Sequence, residues 1–241
     1  MSGASANAIR VVPVERLELS LTSKPWAFAT ERRADIDAHF AALQREKPAL
    51  WNGRVLMLHE QTVTNGVFHG EFLQTDYASF AAWIGWGRPP VGVYDCFAAA
   101  AILAADGAYL VGVMSGATLN AGQIYFPCGT PDASDVVDGK VDFEFSVRRE
   151  LKEETGLDAA ELVPDPGWTM VVDGTLIAQI KTFRARQSAD ELRAKILSFL
   201  SRQRQPELAD ILIARGASDF GPKTRPFVRA FLADRALRKT P

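Results

Sequence analysis

Residues 14–21 (VERLELSL) alternate apolar and polar positions, the two-residue period of a half-buried strand. Thr30 is then expected to cap a helix running to Glu46, with Ile36, Phe40 and Leu43 at helical spacing and Pro48 ending it. Residues 54–60 (RVLMLHE) and 67–75 (VFHGEFLQT) read as a hairpin turning at Asn65-Gly66. A short aromatic-rich helix follows over 77–84, and 85–90 (GWGRPP) have the composition of a linker. Beyond it, 97–103 (FAAAAIL) and 108–114 (AYLVGVM) are apolar on both faces, as a doubly covered central sheet requires. A polar loop (SGATLNAG) leads to a strand at 123–126, the turn PCGTP and an acidic loop reaching about Gly139. A helix, a hairpin around Asp173-Gly174, a helix over 189–203, a strand at 210–214 and a helix over 226–237 complete the chain.

Strands and helices in this order predict an α/β or α+β sandwich. The expected division is a flexible stretch over 1–12, a small α+β extension over 13–90 and a main domain over 91–241. Composition narrows the partners. A net charge of -2 gives no electrostatic case for binding nucleic acid or a membrane surface. The longest apolar run, 96–105, is about half of the ~20 residues a spanning helix needs, and the first residues lack the apolar core of a signal peptide. Cys96 and Cys128 stand far apart in apolar surroundings, as two reduced thiols do, and a cytoplasmic location is expected.

The chemistry concentrates in residues 148–157, RRELKEETGL. On a helix, Val147 and Leu151, with Phe143 a turn earlier, define the apolar stripe that must face the core. At 100° per residue from Val147, Glu154 falls about 20° from the stripe, Glu150 about 60° and Glu153 about 120°. Two carboxylates therefore lean toward the buried side, where a solvated acidic face would lie opposite. Close carboxylates repel by up to about 4 kcal/mol per pair at an effective dielectric near 20. The end of a helix also disfavours negative charge. Hard oxygen ligands grouped in this way suit Mg2+ or Mn2+, and Arg149 is placed to orient one of them. The competing reading is a surface helix whose glutamates pair with Arg148, Arg149 and Lys152.

Residues 149–157 resemble the second half of the Nudix box, R-E-aliphatic-x-E-E-x-G-aliphatic, with every fixed position filled, and IYFPCGTP resembles the strand and turn that introduce it. The resemblance implies a Nudix-like α/β/α sandwich with a mixed sheet, behind an extra N-terminal α+β domain. It implies a Mg2+- or Mn2+-dependent pyrophosphohydrolase cleaving a nucleoside diphosphate linked to another moiety, such as an NDP-sugar or ADP-ribose. By the same resemblance Glu150, Glu153 and Glu154 are metal ligands, Arg149 holds them, Cys128 offers a backbone carbonyl to a metal, and Gly156 ends the helix. The general base is left among Glu153, Glu207 and Asp210. The alternative is a catalytically silent module that binds a nucleotide or a protein.

One half of the pattern departs. The box glutamate expected seven residues before the arginine falls at Val141, and if Gly129 is the first box glycine, about six residues are inserted. Asp138, Asp142 and Glu144 are the available replacements. The front segment holds all three histidines, His39, His59 and His69, with no metal-ligand spacing among them. It is rich in aromatics, expected to form a core, with stacking on a base as the sharper reading. A similarity to the branch that cleaves UDP-sugars, and a homodimer formed through this segment, complete the expectations.

Overall fold

The structure is a computed structural model that describes residues 8–116 and 120–238. Residues 1–7 of the expected flexible stretch and 117–119 of the polar loop lie outside the described residues. The chain runs β1 (Arg10–Val14), β2 (Arg16–Thr22), α1 (Ala27–Glu31), α2 (Arg33–Glu46), β3 (Arg54–Thr64), β4 (Val67–Asp76) and α3 (Tyr77–Gly85). It continues with β5 (Asp95–Leu103), β6 (Tyr109–Met114), β7 (Ile124–Tyr125), β8 (Val136–Val137), β9 (Lys140–Val141) and α4 (Phe143–Thr155). The last elements are β10 (Val163–Pro164), β11 (Trp168–Asp173), β12 (Leu176–Arg184), α5 (Ala189–Leu200), β13 (Leu208–Ala214) and α6 (Pro226–Leu237).

Two compact units emerge, and neither is one continuous piece. One holds the stretch ending at Glu15, Phe97–Gly129 and the stretch from Glu144 onward; the other holds Arg16–Cys96 and Thr130–Phe143. The single boundary expected near residue 90 therefore gives way to a chain that passes between units at several points. Residues 14–21 do not form one strand: β1 pairs with β11, while β2 runs parallel to β4 in the other sheet. The GWGRPP stretch is packed rather than a linker, since the Trp83 indole donates to the Pro89 carbonyl (2.9 Å) and Arg88 pairs with Asp95 (3.0 Å).

The first unit is built on an eight-stranded sheet ordered β1-β11-β12-β5-β6-β13, with β10 and β7 added beside β12 and β6. All nine residues of β5 are buried, the outcome that its two apolar faces demand. Residues opposed across an antiparallel pair point to the same face, so Thr169 and Ile180 face one way, and Lys181 and Phe183 the other. Lys181 is paired with Glu144 of α4 (2.8 Å), and Arg148 of α4 lies over the Phe183 ring. Arg235 of α6 donates to Thr169 on the opposite face. Helices on both faces make this unit an α/β/α sandwich.

The second unit carries a mixed sheet ordered β3-β4-β2-β9-β8. The hairpin turn at Asn65-Gly66 has positive φ at both residues, as that dipeptide favours. Trp26, Phe28, Ile36, Phe40, Phe80 and Trp83 are buried in one cluster, with Trp26 and Trp83 edge to face at 6.4 Å, so most of the aromatics are core. The helix expected from Thr30 is broken at Arg32, which leaves the helical region (φ -105, ψ 19). Thr30 therefore lies inside α1 and caps nothing, and α2 begins instead with Arg33 held by Asp37 and Asp76, both at 2.7 Å. The acidic loop upstream of α4 is also structured. Residues 136–141 form a hairpin turning at Asp138-Gly139 (φ 49 and 74), and Lys140 bridges to Ser20 of β2.

Candidate functional site

The site grows from the last two turns of α4. Val147 and Leu151 are fully buried, fixing the helix's rotation, and the carboxylates follow the order that rotation sets. Glu154 is 3% exposed and Glu150 7%, while the side chain of Glu153 is 59% exposed. Thr155 bonds back to the Leu151 carbonyl, and Gly156 (φ 70) turns the chain out of the helix. A Cβ at Gly156 would lie 2.5 Å from the Phe199 ring of α5, so glycine serves both the turn and the packing. Gln203 donates to the Glu153 carbonyl (3.1 Å), satisfying one of the helix's terminal acceptors.

A loop and an arginine hold the acids. Arg149 reaches Glu150 at 2.8 Å and Glu153 at 3.1 Å, bridging the two with one guanidinium nitrogen. The Cys128 N–H donates to Glu154 Oε1 at 3.1 Å, and Cys128 is itself registered against Ala99 of β5. A Cβ on Gly129 would fall 2.2 Å from Glu150 Oε1, so only glycine lets this carboxylate lie against the loop backbone. The other oxygen of Glu154 is buried and makes no hydrogen bond among the described residues. Burial pushes the Glu154 carboxyl well above its ordinary range, and the charges of Glu207 and Glu150 push the same way.

Glu207, just ahead of β13, is the fourth acid of the group. Burial and the charge of Glu153 raise its carboxyl too. Asp210 is not part of it: it lies in β13 and is paired with Arg193 (2.8 Å). Tyr125, absent from the expected residues, belongs here as well. Burial lifts its phenol, the neighbouring Cys128 and Glu154 add to the lift, and the Asn120 amide donates to its oxygen at 3.2 Å. Glu207 is among the candidate bases as an acid of a later loop, whereas no local spacing in the sequence points to Tyr125, which reaches α4 through the sheet.

The replacements considered for the missing box glutamate are otherwise engaged. Val141 is buried in β9, and Asp138 sits at the hairpin turn in the left-handed region, both in the other unit with Asp142. Glu144 is bound by Lys181 and, at 3.5 Å, by Arg148. Among the histidines, His59 lies with Glu60 and Glu71 in a group whose ligand atoms are within 4.8 Å of one another. Lys24 already bridges those two glutamates at 3.4 and 3.1 Å, which supplies the cation that opposed carboxylates need.

The donor set suits a hard divalent cation. The acids are the hard oxygen donors such an ion takes, one with an unpartnered buried oxygen and another given room by a glycine, although the oxygens of Glu150, Glu153 and Glu154 do not all lie within 4.8 Å of one another as the His59 group does. No described helix is long and apolar enough to cross a membrane.

No family model and no curated protein matches the chain. Solved structures do, with low superposition scores. A MutT protein from Methanosarcina mazei Go1 is 20% identical over 61% of this chain and 96% of its own, with a TM-score of 0.40. A Nudix hydrolase from M. smegmatis is 15% identical over 60% of this chain and 84% of its own, with a TM-score of 0.37. A bifunctional NMN adenylyltransferase/ADP ribose pyrophosphatase from Francisella tularensis, complexed with AMP and a Mn ion, is 12% identical over 66% of this chain and 45% of its own, with a TM-score of 0.39.

Proposed function

We propose that this chain is a Nudix-type pyrophosphohydrolase, dependent on Mg2+ or Mn2+, that cleaves a nucleoside diphosphate linked to another moiety by attack of water on phosphorus. The observation that carries the reading is Glu154: a carboxylate driven into a 3%-exposed position, one oxygen held by the Cys128 N–H and the other without a partner. Most buried side-chain oxygens have a partner, and Glu144, whose Oε2 also lacks a hydrogen bond among the described residues, is instead held by Lys181. The filled second half of the box supplies the family, and the substrate class follows from it, with NDP-sugars the first to try. Reduced Cys96 and Cys128 suit the cytoplasm, where such substrates occur.

Glu150, Glu153 and Glu154 would hold the cation. Bound there, it supplies neutralisation of the diphosphate charge and lowers the pKa of water. Arg149 keeps Glu150 and Glu153 from swinging apart, so they present a fixed set of oxygens. The Cys128 N–H fixes which oxygen of Glu154 faces the loop. Its role is thus an N–H to a ligand, beside the carbonyl the resemblance assigns to a metal. Glu207 is suited to accept the proton of the attacking water, because burial and Glu153 raise its basicity.

A silent binding module is the second reading, favoured by the burial of Val141 where the box carries a glutamate. One assay separates the two. Purified protein with Mg2+ or Mn2+ is screened against UDP-glucose, ADP-ribose, NADH and dinucleoside polyphosphates, reading released monophosphate. Turnover of at least one is expected, with Glu154→Gln slowing it by about a thousandfold or more. No turnover of any, by folded and metal-replete protein, overturns the hydrolase in favour of the module.

A further inference from the structure

A cavity of about 320 Å3 opens on the sheet face that carries α6, away from α4 and its carboxylates. Its floor is Thr169, Ile180 and Thr182, and its walls are Pro166, Arg184 and Arg235. The volume lies at the small end of ligand pockets, which begin near 300 Å3. Its charge is one-sided. Arg184 is held in a fork by Asp165 through two of its three guanidinium nitrogens, which fixes its position and offsets its charge. Arg235 pairs with no carboxylate among the described residues; its guanidinium leans on the Phe231 ring and donates only to the Thr169 hydroxyl. The Arg235 Nε is buried and has no acceptor among the described residues. A buried donor without an acceptor is unfavourable, so the site is one acceptor short.

We propose that this cavity binds a phosphate group, free or carried as a small monoester, between Arg235, Arg184 and the hydroxyls of Thr169 and Thr182. Guanidinium and hydroxyl donors converge there without a free carboxylate to repel an anion, since Asp165 is neutralised by its fork. A single net positive charge and a small volume match a phosphate bearing little more than one compact group. The Ile180 side chain gives that group an apolar surface. The site does not depend on the hydrolase reading, because α4 contributes nothing to it.

The test is a titration of the full chain in EDTA, so that no cation bridges phosphate to α4. Inorganic phosphate and AMP are added separately, followed by calorimetry and by amide shifts. Binding of at least one is expected, with shifts at Thr169 and Thr182. Arg235→Gln should weaken it tenfold or more. Arg184→Glu, on a side chain 55% exposed, should abolish it while the melting temperature confirms a folded chain. Tighter binding of AMP would assign the site to monoesters, and equal binding to free phosphate. Unchanged affinity in either variant, shifts confined to α4, or no binding at millimolar phosphate would overturn the site.

Discussion

Two acidic stretches of the chain, 130–143 and the last turns of α4, make opposite use of their acids. In the last turns of α4, Glu150 and Glu154 are buried beside each other, and one oxygen is left without a partner. In the segment 130–143, also rich in acids, Asp135 is fully buried yet accepts from the Asp132 N–H, Asp138 turns a hairpin, and the backbone is taken up in sheet pairing. The first arrangement leaves electrostatic energy unrelieved and the second relieves it. Charge count alone does not mark a site; an acid that the fold buries and does not satisfy does.

The largest way to break this comparison is to close the space on the α4 side. Gly129→Ala puts a Cβ where Glu150 Oε1 now lies 2.2 Å away, so the carboxylate must move. Mn2+ affinity, measured by titration calorimetry, is expected to fall about 10–100-fold, as when a ligand loses its orientation. Gly139→Ala in the hairpin meets nothing within 4 Å and is strained only by its φ of 74. It should cost about 1 kcal/mol of stability and leave metal affinity alone. Equal metal affinities in the two variants would erase the distinction between the two stretches.

How much of this the sequence carried depends on distance along the chain. The rotation of α4 was legible because Val147, Leu151 and the three glutamates lie within eight residues, and the observed exposures follow their angles. The tight turn at Asn65-Gly66 was legible for the same reason; at the second hairpin the turn falls one residue later than expected, at Gly174-Thr175. The division into units was not, since strands of two residues such as β8 and β9 carry no period of their own and take their sheet from tertiary pairing. The break at Arg32 was hidden because residues 30–46 keep a helical period across it. Glu207 was legible only as one acid of a later loop and Tyr125 not at all, since both lie far along the chain from α4 and no spacing rule connects them to it.

A smaller effect concerns stability without metal. A carboxyl whose pKa is raised on folding binds its proton more tightly in the folded chain. The contribution of Glu154 therefore favours folding near and below its ordinary value of 4.5, and is lost as pH rises through the elevated folded value. In EDTA, Glu154→Gln is expected to raise stability at about pH 8 by about 1–3 kcal/mol, and to change it little at about pH 5. Thermal melts at both pH values check this. Added Mg2+ should then stabilise the unaltered chain and not the variant. A variant less stable than the unaltered chain at high pH, without metal, would mean that Glu154 is a satisfied structural acid after all.

The smallest expected effect sits on the other side of the comparison. Asp138→Asn removes a carboxylate from the segment where the box glutamate would be sought, and keeps a residue type at home in the left-handed region. Stability should stay within about 0.5 kcal/mol, as for an ordinary exposed position, and turnover and Mn2+ affinity should not change. The reason is structural. Asp138 is spent on a turn, and the strands it joins hold Val141 buried in the sheet. If Asp138→Asn instead lowered turnover as Glu154→Gln is expected to, the upstream stretch would supply a ligand after all, and the contrast between an unrelieved and a relieved group of acids would no longer tell function from scaffold.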